Sequence, residues 1–263
     1  MAFVDLVSKE ATNAGGRVTI VNRALTPLIV PGERAVEADH ATQLLLVSEY
    51  PSKGAGEQAL ANGKNTHKVR TFEATPVGGI GSLIGRTLPS ILGLFSNVND
   101  LGENDAQQLA SLIEASHILK GAPETGLYDD HWASLVEQSR SEPIWMLNFL
   151  EYKEQADHGE ASDYNDVITD QQAYQQYSSG MIGSLAAVGG KVGWSGYMAK
   201  QIGGEDDGHW HEIIFAVYRS TVAMMTMLAM DGYRAAHHHR IAGLARTRLL
   251  ATQPIENGAI VNQ

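Results

Sequence analysis

The stretch AGGRVTIVNRALTPL, beginning at Ala14, has a counterpart in VGGKVGWSGYMAKQI, beginning at Val188. Downstream of the first lies QLLLVSEYPSKGAGEQALA, and downstream of the second EIIFAVYRSTVAMMTMLAM. The units close on VRTFEATP, ending at Pro76, and ARTRLLATQP, ending at Pro254. Gly15 and Gly189, Tyr50 and Tyr218, and Thr71 and Thr247 recur in the same order. An internal repeat constrains a fold more than any single motif, because each copy must build the same unit. In both copies a helix stops at Gly-Gly, where glycine tolerates the left-handed cap. A strand, a turn and a β-branched apolar strand follow. Ser52 and Ser220 then stand where a helix N-cap is expected.

The second copy is the fuller one. It has an upstream strand, PIWMLNFLEYK (143–153), and a helix around DQQAYQQYSSGMIGSLAAV (170–188). Its order is β-α-β-β-α-β, the split βαβ arrangement of ferredoxin-like units. The first copy starts directly in its helix and lacks an evident opening strand. Between the copies, residues 76–142 carry three basic and nine acidic side chains. DAQQLASLIEASHILKG (105–121) has helical apolar spacing there. The reading is therefore a degenerate unit over 1–76, a helical acidic connector over 77–142 and a complete unit over 143–263.

Composition limits the functions available. With 43% hydrophobic residues among 263, a substantial core can form. A net charge of -11 argues against nucleic-acid backbones, which need a concentrated basic surface. There are no cysteines, hence no disulfides, thiol nucleophiles or thiolate metal sites. The N-terminus does not read as a signal peptide, and no segment approaches the roughly 20 apolar residues of a membrane span. VGGIGSLIGRTLPSILGLF (77–95) is broken by Arg86 and Pro89. It reads as a buried or amphipathic linker. The expectation is a cytoplasmic protein without membrane insertion.

PIWMLNFLEYK, VGGKVGWSGY, HWHEIIFAVYRS and YRAAHHHRIAGLARTRLLAT together resemble a domain-of-unknown-function family of the dimeric α+β barrel superfamily. The resemblance is close over 143–254 and faint over 14–76. It implies an α+β fold of two tandem ferredoxin-like units, the first degenerate, packed as an internal barrel. The superfamily holds cofactor-free monooxygenases, lactone isomerases, dehydratases, haem enzymes and regulatory ligand-binding domains, so fold alone selects no function.

Candidate chemistry centres on GHWHEIIFAVYRS (208–220). Alternation along a strand puts His209 and His211 on one face and Trp210 and Glu212 on the other. The two histidines have the spacing of a metal-binding pair, but the stronger reading is that of solvated rim residues beside GGEDDG. Glu212 held among apolar groups is a general acid or base with a raised pKa. It is equally a structural ion-pair partner of Arg240 or Arg246. Asn148 interrupts the apolar WMLNFL and needs hydrogen-bond partners. With Trp145, Leu147 and Phe149 assigned to the helices, Asn148 faces the lumen, where it either orients a substrate carbonyl or ties two strands together. Trp194 and Tyr197 alternate in direction, so one of them lines the lumen. Tyr174 and Tyr177 share a helical face, with Tyr164 preceding them, and their default is solvent exposure.

DGYRAAHHHRIAGLARTR (231–248) reads as a helix capped by Asp231 and ending near Gly243. Tyr233 and His237 are placed to stack. His237, His238 and His239 fan out at about 100° per residue and do not jointly chelate one ion. His239 and Arg240 recur in the family-like segment, so they are candidate partners of Glu212, with His238 toward solvent. Met224, Met225, Met227 and Met230 mark core or a subunit interface. No dinucleotide, Walker, nucleophile-elbow or zincin motif occurs.

The functional expectation is a cofactor-independent enzyme acting on an apolar, oxygenated small molecule by proton transfer. Glu212, His239 and Arg240 are its catalytic set. Asn148, Trp194, Tyr197, Trp210 and Tyr174 line its site, and a homodimer is the expected assembly. The alternatives are a non-catalytic carrier of a hydrophobic metabolite, and a haem or divalent-metal enzyme using His209, His211 or a helix histidine.

Overall fold

A computed structural model describes residues 2–29, 44–63, 71–76, 135–136, 142–157, 170–203 and 209–255. The connector helix expected over 105–121, the glycine-rich stretch over 77–95 and Tyr164 lie outside the described residues. The fold is α+β. In chain order its elements are α1 (Ala2–Asn13), β1 (Arg17–Ile29), β2 (Leu44–Glu49), α2 (Lys53–Gly63), β3 (Thr71–Pro76), β4 (Ile144–Tyr152), α3 (Asp170–Ala187), β5 (Lys191–Gly203), β6 (Glu212–Tyr218), α4 (Thr221–Ala229), α5 (Asp231–Gly243) and β7 (Leu244–Pro254).

All seven strands join one antiparallel sheet in the order β2-β1-β7-β4-β6-β5-β3. Strands from residues 17–76 and from residues 144–254 meet twice. The first hairpin attaches through β1 to β7, and β3 attaches to β5. The expected barrel is not closed: β2 and β3 are the end strands, and no pairing joins them among the described residues.

The local signals act as their chemistry dictates. Gly15 and Gly189 have φ of 73° and 70°. Around each, two amide N–H groups reach back over the helix end: Gly15 to Thr12 and Gly16 to Ala11, Gly189 to Ala186 and Gly190 to Leu185. This is the same Schellman ending twice, satisfying carbonyls that a helix terminus leaves open. Ser220 Oγ accepts the Ala223 N–H at 3.0 Å, and Ser52 Oγ accepts that of Ala55 at 3.3 Å. For α5 the expected cap differs. Asp231 is the first helical residue and Met230 is the N-cap, without a side-chain bond. A carboxylate in the first turn still favours the helix dipole.

Both faces of the sheet are buried around β4 and β6. On one, Met146 and Leu150 of β4 and Ala216 and Tyr218 of β6 pack with residues of α3, α4 and α5. Met224, Met225 and Met227 belong to this core. Helices α3 and α5 approach so closely that a Cβ on Gly180 would meet the Ala236 Cβ at 2.7 Å. On the other face Trp145, Leu147 and Phe149 pack with Trp210, Ile213, Phe215 and Leu250. The assignment of Trp145, Leu147 and Phe149 to the helices is therefore corrected. Alternation sorts side chains into two sets, but both sets are apolar here. The helices supply long methionine and tyrosine side chains of their own, so the slimmer strand set suffices beneath them. Among the described residues, no helix is long and apolar enough to cross a membrane.

Candidate functional site

The helix-covered face carries a polar seam. Glu212 opens β6 and stands in register with Leu150 on one side and Tyr197 on the other. Directly opposed residues share a face. Tyr152, two residues beyond Leu150, closes β4 on that same face. Its hydroxyl donates to the Glu212 carboxylate. Its backbone N–H donates to His211 Nδ1 at 2.8 Å, and its ring stacks on His211 at 5.6 Å and 17°. Tyr152 is thus fixed at the backbone, the ring and the hydroxyl by two adjacent residues.

Burial raises the Glu212 pKa above the usual carboxylate value, against a smaller downward pull from the Tyr152 hydrogen bond. The Tyr152 phenol is pushed far up, first by burial and then by the charges of Tyr174 and Glu212. Among the described residues, no guanidinium offsets the desolvation of Glu212. Arg246 pairs with Glu151 at 2.7 Å, and Arg240 Nη2 donates to Thr247 Oγ1 at 3.1 Å. The structural ion pair open to Glu212 in the sequence is made by Glu151 instead.

From Tyr152 a line of rings runs under the helices. Tyr152 meets Tyr174 at 5.4 Å, Tyr174 meets Tyr177 at 5.3 Å, and Tyr177 meets Tyr233 at 6.1 Å. His237 contacts both Tyr233, at 5.5 Å, and Tyr177, at 6.5 Å. Tyr174 and Tyr177 are buried, not solvent-exposed. Burial raises the pKa of Tyr174, Tyr177, Tyr218 and Tyr233, and the nearby Arg240 charge partly opposes this in each. Burial, Arg240 and His238 lower the His237 pKa to about 3, so its ring is neutral.

Asn148 lies on this face, one row deeper than Glu212, paired with Ile214 and Leu249. Its Nδ2 donates to the carbonyls of Met146 and Ile214, at 3.2 and 3.5 Å. The amide donor is used within the sheet. Asn148 thus ties β4 to β6, the second role open to it in the sequence, and it lies on the helix-covered face, not on the lumen face expected from sequence.

Other expected residues sit apart. Trp210 and Trp194 join the opposite face, with Phe149 and Phe215 respectively. Trp210 escapes the alternation because β6 starts only at Glu212. Tyr197 is opposite Glu212 and 45% exposed, at the edge of the site. His239 is buried with its ring 3.8 Å from that of His238, and the tyrosine line is met by His237 instead. His209 packs on His211 at 4.6 Å. His211 spends Nδ1 as an acceptor, which leaves its proton on Nε2. Among the described residues no group of three His, Cys, Asp or Glu is placed to hold a metal ion.

Tyr152 escapes a reading of the sequence, although it carries a signal, and His237 is legible there only as the stacking partner of Tyr233. Tyr152 continues the every-second-residue set of Asn148 and Leu150. Tyr233, His237 and Arg240 follow the four-then-three spacing of one helical stripe.

No protein-family model matches the chain, and no curated protein does. Solved structures that match include RPA0582, a protein of unknown function from Rhodopseudomonas palustris and a structural genomics target. It is 29% identical over 49% of this chain and 95% of that chain, with a TM-score of 0.44. Methylated RPA0582 protein is likewise 29% identical, over 50% and 95% of the two chains, with a TM-score of 0.45.

Proposed function

We propose that the protein is a cofactor-independent enzyme that transfers a proton on an apolar, oxygenated small molecule, with Glu212 as the acid or base. The observation that carries this reading is the desolvated Glu212 carboxyl. It has a raised pKa, a phenol as its hydrogen-bond partner and no neutralising cation among the described residues. General acid–base groups work best when their pKa approaches the working pH, and burial is the usual way to bring a carboxyl there. Tyr152 holds the carboxylate in one orientation by donating its hydroxyl to it. The strand order β7-β4-β6-β5 supports reading residues 143–254 as a ferredoxin-like unit. The repeated Schellman endings, serine caps and reciprocal strand pairings support a degenerate partner over 1–76, and with it a place in the dimeric α+β barrel superfamily.

The test identifies small molecules that co-purify with the protein by mass spectrometry and incubates each with enzyme in deuterated water. The expected result is deuterium incorporation at a carbon next to an oxygenated group, abolished in Glu212→Gln. A compound that binds the wild type without exchanging would make the protein a carrier.

A further inference from the structure

We propose that Arg240, together with His237 and the Tyr174 hydroxyl, is a binding site for the carboxylate of an apolar, aromatic acid, beneath α3 and α5. Arg240 is 5% exposed, and its hydrogen bond goes to a neutral partner, the Thr247 hydroxyl. That hydroxyl is itself tied to the Phe149 carbonyl at 3.1 Å. No carboxylate pairs with Arg240 among the described residues. Glu212 and Glu151, on the strands below, are engaged elsewhere, by Tyr152 and by Arg246. A guanidinium does not deprotonate, so it cannot escape burial by neutralising itself as a lysine or carboxyl does. A buried cation without a counter-ion calls for an anion.

The neighbours are donors. His237 is 7% exposed, and both of its ring nitrogens lack a hydrogen-bond partner among the described residues. A neutral imidazole always offers one N–H. Tyr177 and Tyr233 bond each other. The Tyr174 hydroxyl has no such partner among the described residues, and it feels the charges of both Arg240 and Glu212. A fixed cation with an imidazole and a phenol suits the two oxygens of a carboxylate. The walls are aromatic and aliphatic: Tyr174, Tyr177, Tyr233 and Met146. They favour an apolar ring as the body of the ligand.

The anion site stands on Arg240 and its surroundings alone. Its link to chemistry rests on the proton-transfer reading above: Tyr174 touches Tyr152, so an acid anchored at Arg240 extends along Tyr174 toward Glu212.

Benzoate is the probe and benzyl alcohol its neutral control. The histidine ring signals of the full-length protein are followed by NMR while each is titrated. Benzoate is expected to bind at least tenfold more tightly than benzyl alcohol, to shift the His237 signals and to raise the pH at which His237 titrates. Arg240→Met should abolish the preference, His237→Gln should weaken benzoate several-fold, and Glu212→Gln should leave benzoate binding intact. Equal affinity for the two probes, or no binding of benzoate to the wild type, overturns the proposal. So does benzoate binding that leaves the His237 signals unmoved. These readings come from the wild type, so they hold even if Arg240→Met does not fold. Absence of deuterium exchange in the wild type, with benzoate binding intact, would instead count against the proton-transfer reading alone.

Discussion

The Arg246 guanidinium lies 4.1 Å from the centre of the Trp210 ring. It also pairs with Glu151 and donates to the His209 carbonyl at 3.3 Å. Arg246 thereby fastens the segment before β6 to β7 and β4, which sets where Glu212 begins. A planar cation can stack and bond at once, while an ammonium cannot. Arg246→Lys and Arg246→Ala should each lower stability in urea by about 1–2 kcal/mol. Full retention of stability by the lysine variant would show that charge alone suffices.

The paired helix endings make a test that turns on backbone conformation. Gly15 and Gly189 sit at positive φ, where a Cβ costs about 1–2 kcal/mol. Gly183, inside α3, has open space where an added methyl would stand. Alanine at Gly15 or Gly189 should therefore destabilise by about that amount. At Gly183 it should stabilise by up to about 1 kcal/mol, because helical glycine loses more entropy on folding. Thermal unfolding of the three variants reads both signs, and a uniform response would contradict the assignment.

His237 predicts an acid-sensitive fold. Its folded pKa, about 3, lies below its ordinary value of 6.5. The unfolded chain thus takes up the proton first, and stability falls as pH drops from about 6.5 toward 3. The steepest loss is about 1.4 kcal/mol per pH unit. Glu212 has the opposite sense. Its folded pKa is raised, so its contribution is full below the ordinary carboxyl value and is lost as pH rises through the folded one. Urea titrations of wild type and His237→Gln between pH 7 and 4 should converge as the pH falls. Parallel curves would mean that His237 is not buried neutral.

Much of this arrangement is legible in the sequence because it is local. Gly-Gly endings and serine caps follow from backbone sterics and unsatisfied N–H groups, which neighbouring residues decide. Glu212, Asn148, Tyr174 and Arg240 do share one face. Which layer covers that face is not legible, because Trp145, Leu147 and Phe149 are as apolar as the set opposite. Only packing volume separates them. Trp210 departs from expectation for a different reason: a strand that starts two residues late breaks the alternation. The choice of His237 over His239 depends on a stripe shared with Tyr233 and Arg240, which family-like spacing obscures.

The Glu212 carboxyl itself gives the most direct test. Carbon-13 NMR of labelled glutamate, followed against pH in wild type and Tyr152→Phe, reads its pKa without any substrate. The desolvated site predicts a value above the usual carboxylate range in the wild type. It predicts a further rise in Tyr152→Phe, where the bond that favours the charged form is gone. An ordinary value, unchanged by the loss of the Tyr152 hydroxyl, would contradict the account.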